Sequence, residues 1–106
     1  MPVPTDIAID IPLIDHHCHG VVPQDLELAR FEALMSESYR PAPAGTSQFD
    51  KPLGLVIRRF CAPMLDLEPF CSGEEYVEKR RALGAQEVNR RLLGACGLDS
   101  LLIDTG

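Results

Sequence analysis

No run of apolar residues in this chain approaches the ~18 needed to cross a bilayer, so a membrane-spanning role is not expected. A secretory signal is not expected either: the segment MPVPTDIAIDIPL has no basic start, carries two Asp and is interrupted by prolines. The four cysteines, Cys18, Cys61, Cys71 and Cys96, include no C-x-x-C pair. Without an export signal they are expected to be free thiols in a reducing cytoplasm rather than a disulfide framework. Basic charge is also scarce, with 10 Lys and Arg against 16 Asp and Glu and a net charge of −6. Phosphate backbones are bound by a concentrated basic face, and Arg58-Arg59 is too small to supply one, so a nucleic-acid partner is not expected. Internal repeats and low-complexity tracts are absent.

What remains is a chain of 106 residues with an ordinary globular composition, 45% hydrophobic and 25% charged, enough for one modest core. The first element reads as a short strand over 13–19, introduced by Pro12 and ended by Gly20. A helical pattern runs from about Gln24 to Ser38, with Leu28, Phe31, Leu34 and Met35 at three- and four-residue spacing. Tyr39 to Pro52, rich in Pro, Gly and Ser, reads as a mobile loop and a candidate lid. A second helix is expected over Leu53 to Asp66, with Leu53, Val56, Ile57, Phe60 and Met64 as its inward stripe, Arg58 and Arg59 turned away, and Pro63 stopping or kinking it. Ser72 with Glu75 forms a capping-box pattern that opens a third helix ending at Gly84. A fourth spans Ala85 to Cys96, with Gly97 as its cap. Leu101-Leu102-Ile103 then suits a strand buried on both faces of a parallel sheet, over 100–104. A buried strand with no helix to cover it is expected to belong to a longer fold.

The chemistry concentrates in Ile14-Asp15-His16-His17-Cys18-His19-Gly20. Regular strand alternation would put Asp15, His17 and His19 on one face and Ile14, His16 and Cys18 on the other. Two imidazoles at a strand's end can close on one metal ion, and further ligands have to come from elsewhere in the fold. Asp15, one pleat deeper, suits orienting a ligand rather than binding metal. His16 and Cys18 read as structural. Asp104, at the end of the second strand, is a candidate ligand or substrate contact, or a simple turn residue. Arg58 and Arg59 are candidate clamps for a substrate carboxylate, with a solvated helix face as the alternative. Glu37 has no sequence feature that places it near the histidines.

Ile14-Asp15-x-His17-x-His19 resembles the first-strand signature of the amidohydrolase superfamily. The helical insertion that follows, with Leu34-x-Ser36-Glu37-Ser38, Arg58-Arg59, the Arg80–Leu83-Gly84 helix and Leu102-Ile103-Asp104-Thr105-Gly106, is similar to the amidohydrolase-2-like group, which includes the N-terminal region of nodulin–glutamine synthetase fusions. The likeness runs over nearly the whole chain. It implies an α/β fold, mostly helical by residue count: an incomplete TIM (β/α)8 barrel in which residues 1–106 supply strand 13–19, helical insertion 24–97 and strand 100–104. It further implies a divalent metal, zinc first, held by His17 and His19 at the barrel mouth, and hydrolysis of amide-like C–N bonds in a small-molecule substrate by metal-activated water. The remaining ligands would come from later strands, so a fragment of this extent would be inactive alone and would need the rest of the barrel as partner. The competing expectation is a small helical binding or scaffold protein whose His cluster is incidental or a weak metal site.

Overall fold

A computed structural model describes residues 11–106; the opening segment read above for a secretory signal lies outside them. Helix accounts for 47% of the described residues, so the sheet is the minor part of an α/β chain. Strand β1 (Leu13–Cys18) is followed by helices α1 (Leu28–Leu34), α2 (Pro52–Val56), α3 (Gly73–Leu83) and α4 (Ala85–Gly94), and then by strand β2 (Leu98–Ile103). The strands pair in parallel. Parallel neighbours cannot be joined by a tight turn, and here the whole helical body is the crossover.

The first helix is shorter than its periodicity predicts. Asp25 does not join α1; its carboxylate accepts the Ala85 backbone N–H at 2.7 Å. Helix α4 starts at Gly84, which has no side chain to cap it, so Asp25 satisfies that first-turn donor from across the fold. Asn89 Nδ2 donates to the Val22 carbonyl at 3.1 Å, fixing the segment after β1 to the same helix.

Helix α2 begins with Pro52 in its first turn, where the missing N–H costs nothing. Pro63 can neither donate to the carbonyl four residues earlier nor pack closely against it. Ahead of it the helix widens to a π turn over Ile57–Cys61, and around it tightens to a 3-10 turn over Ala62–Leu65. Asp66, left-handed at φ 62°, ends the run, and its N–H and that of Leu67 return to the Pro63 and Ala62 carbonyls. The expected inward stripe of this helix is not the one that faces in. Leu53, Val56, Phe60 and Met64 are exposed, while Gly54, Ala62 and Leu65 are buried and Ile57 and Arg58 half-buried.

The reason is Phe49. The Tyr39–Pro52 segment is not a free lid: Ser47 caps a 3-10 turn over Gln48–Asp50 that drives the Phe49 ring into the core, leaving it 2% exposed. It stacks on Phe31 at 5.5 Å between centroids and meets Tyr76 edge-on at 6.1 Å. Gly54 and Gly73 have no Cβ because the Phe49 backbone and ring lie where one would go. Glu32 completes the anchor, accepting from Ser47 Oγ at 2.7 Å and from the Gln48 N–H at 2.8 Å. Phe49, Ala62, Leu65, Tyr76, Val77 and Val88 form the core, with Phe31, Met35, Ile57 and Leu92 packed around it. Ser72 Oγ caps α3 through the Glu75 N–H at 3.1 Å, as the capping pattern predicts.

No described strand residue belongs to that core. The apolar run of β2 is not buried on both faces: Leu102 and Ile103 are exposed, as is Ile14 of β1, and among the described residues each strand has one open edge. Among the described residues no helix is long and apolar enough to cross a membrane.

Candidate metal centre

Two compensating irregularities shape the strand pair. From Leu13 to Ile14 β1 advances one residue while β2 advances two, Leu98 to Ser100. From Asp15 to Cys18 β1 advances three while β2 advances two, Leu101 to Ile103. An extra residue in one strand turns the following side chains to the other face. Asp15 therefore pairs on the face of Leu101, and Cys18 returns to that same face opposite Ile103. His17, adjacent to Cys18, falls on the opposite face. The expectation that Asp15 and His17 share a face fails at this bulge. The burial pattern agrees, since Asp15 and Cys18 are half-buried and the residues between them exposed.

Asp15 keeps a local role of another kind. Its Oδ1 accepts the backbone N–H of His17 at 3.1 Å, so it holds the bulged peptide rather than an imidazole nitrogen. Beyond β2, the Asp104 N–H donates to the Cys18 carbonyl at 2.8 Å, extending the ladder by one rung. The Asp104 Oδ1 accepts the Gly106 N–H at 2.9 Å, and its Oδ2 stands 4.0 Å from His17 Nε2.

His17, His19 and Asp104 thus meet at the C-terminal ends of two adjacent parallel strands, with one ligand atom of each within 4.8 Å of the others. The imidazoles stand edge to face, 5.1 Å between centroids and 87° between planes. Tetrahedral bonds of about 2.0–2.1 Å put donor atoms roughly 3.3 Å apart, so the set has to close by about 1.5 Å to grip an ion. All three side chains are exposed and can make that movement by rotamer adjustment. Two imidazole nitrogens and a carboxylate oxygen match the donor types of a catalytic zinc site, so the residues present fit such an ion. At 55% and 47% side-chain exposure, the His17–Asp104 approach is screened by water and adds little stability.

The remaining candidates are not gathered there. Arg58 is a structural clamp: its Nε donates to the Cys71 carbonyl at 2.6 Å, Nη2 to the Phe70 carbonyl at 2.9 Å, and Nη1 approaches Asp50 at 3.3 Å. In that placement the guanidinium is occupied by main-chain carbonyls and Asp50. Arg59 is exposed and lies over the Phe60 ring at 5.0 Å, with no described bond to the histidines. His16 is exposed and outside the cluster, and Glu37 is exposed on the segment after α1.

All four cysteines are free. Burial pushes the Cys61 thiol above the ordinary thiol range, helped by nearby Cys96 and opposed by Arg80 and Tyr76. Burial likewise raises Cys71, with Glu75 adding and Arg58 opposing. Both are poor nucleophiles in this setting. Arg80, named above only within the Arg80–Leu83-Gly84 helix, lines an open apolar groove beside the core. In comparisons with known proteins, the chain matches no protein-family model, no curated protein and no solved structure.

Proposed function

We propose that this chain carries part of the metal centre of an amidohydrolase-type enzyme, in which His17, His19 and Asp104 hold a divalent cation, zinc first, for hydrolysis of an amide-like C–N bond in a small molecule. The observation that supports it is the convergence of those three donors from the C-terminal ends of two parallel strands. Parallel strands joined by a helical crossover, with ligands at their C-terminal ends, match the way (β/α)8 barrels build active sites. Parallel sheets are covered on both faces, and the exposed Ile14, Leu102 and Ile103 fit strands that continue into a larger sheet. On this reading further strands, in the same protein or a partner, contribute the remaining ligands. A bound cation would act as a Lewis acid and bring the pKa of water into the neutral range. The chain's own groups divide the work: the imidazoles donate through nitrogen, Asp104 adds a charged oxygen set by the Gly106 N–H, and Asp15 fixes the His17 peptide.

Elemental mass spectrometry after zinc loading and desalting tests the proposal on the wild type, on a His17→Ala/His19→Ala variant and on Asp104→Ala. Stoichiometric zinc in the wild type, none in the double variant and ~10-fold or greater weakening in Asp104→Ala are expected. Equal retention in all three, or none in any, overturns it. One observation favours a second reading, a helical binding protein with an incidental His cluster: the helices close their core without either strand. Under that reading no zinc is retained and loss of both histidines leaves thermal stability unchanged.

A further inference from the structure

An apolar concavity that carries a cation lies away from the metal centre. It is an open groove of about 330 Å³ between the segment after β1 and helices α1, α2 and α4, walled by Val22, Leu34, Leu53 and Leu93. That volume is at the small end of ligand pockets, which run from about 300 to 1,000 Å³. Its lining is almost wholly apolar apart from Arg80, Asn89 and the Cys96 thiol. Asn89 is engaged with the Val22 carbonyl. Arg80 is different. Its guanidinium is held over the Phe31 ring at 5.0 Å and the Tyr76 ring at 5.9 Å, and it is half-buried. Among the described residues it pairs with no carboxylate; Asp25, which lines a small adjoining cavity with it, is bonded to the Ala85 N–H.

A fork-shaped cation fixed by two aromatic faces at an apolar groove is complementary to one kind of small ligand: a carboxylate with an aliphatic tail. We propose that this groove binds a medium-chain aliphatic carboxylate, its tail against Leu34, Leu53 and Leu93 and its head on Arg80. The inference stands independently of the metal centre, since no ligand of that centre lines the groove.

Cys96 supplies the readout, because it lines the groove and is exposed. Its alkylation rate by N-ethylmaleimide, followed by peptide mass spectrometry, is measured with octanoate and with octan-1-ol as probes. Octanoate is expected to protect Cys96 at concentrations about tenfold or more below those of the alcohol, as a charge-assisted bond requires. Arg80→Gln should abolish that preference. Leu53→Glu, at a residue 51% exposed and outside the core, places a negative charge at the groove wall and should weaken octanoate protection while leaving the circular dichroism spectrum unchanged. This second variant keeps the test decisive if Arg80→Gln unfolds. Equal protection by acid and alcohol, protection by neither, or octanoate protection intact in Leu53→Glu would each overturn the proposal.

Discussion

Gly73 opens α3 with its backbone against the Phe49 ring, and a Cβ there would overlap that ring. Alanine ordinarily favours a helix over glycine by about 1 kcal/mol, whereas overpacking a core costs about 1–3 kcal/mol. Gly73→Ala is therefore expected to lower the urea midpoint; a raised midpoint would mean that Phe49 has room to move. Glu87 is a carboxylate whose bonds to two arginines become a pH dependence. It accepts from Arg90 through Nε at 2.9 Å and Nη2 at 2.7 Å, and from Arg91 Nε at 2.8 Å. These bonds, Arg90 first and then Arg91, lower its pKa from 4.5 to about 2. A carboxyl depressed in the folded state contributes stability that is present above its unfolded pKa and lost as pH falls through the folded one. Glu87→Gln should lower stability at neutral pH and flatten the acid limb of the profile between pH 4.5 and about 2. An unchanged acid limb would rule this pair of contacts out as its source.

At the scale of elements, the α2 run and the turn that follows it depend on Arg58. Phe70 sits at φ 61°, a conformation costly for a bulky residue, by about 1–2 kcal/mol. It is held there from both sides, its N–H on the Arg58 carbonyl at 2.9 Å and its carbonyl on the Arg58 side chain. Arg58→Ala leaves the Phe70 and Cys71 carbonyls without that donor and is expected to cost about 2–3 kcal/mol. Arg58→Lys cannot reproduce the fork and should recover only part of it. Hydrogen exchange localises the effect: faster exchange at 70–71 in Arg58→Ala is expected, and unaltered protection there would sink the clamp. The helix spacing in the sequence located this run and its break at Pro63, but not its orientation. Leu53, Val56, Phe60 and Met64 formed the better apolar stripe, yet Gly54 faces inward because only a glycine admits the Phe49 backbone.

For the whole molecule, the core is built from the helical crossover, and no described strand residue shares in it. The radius of gyration is 15.2 Å, against about 13 Å for a closely packed domain of about a hundred residues. The strand pair leaves Ile14 60%, Leu102 56% and Ile103 54% exposed, beside edges that no other described strand covers. Open apolar edges recruit other strands, so the isolated chain is expected to self-associate with rising concentration, and Leu102→Lys to suppress this. Sedimentation velocity decides: a monomer at all concentrations would mean that the exposed strands carry no such tendency.

Much was legible in the sequence because it is governed by local rules. The two strands, the capping of α3 by Ser72, the disruption at Pro63 and the pairing of His17 with His19 at a strand's end all follow from periodicity and backbone chemistry within a few residues. Tertiary structure decided what depends on register and on distant partners. The bulge after Asp15 moved His17 to the other face and into reach of Asp104, which lies 87 residues further along the chain. Phe49, inside a segment of loop-like composition, became the centre of the core, and Asp25 capped a helix 60 residues away. Such choices are settled by which groups would otherwise be left unbonded or exposed, and a sequence pattern does not state those costs.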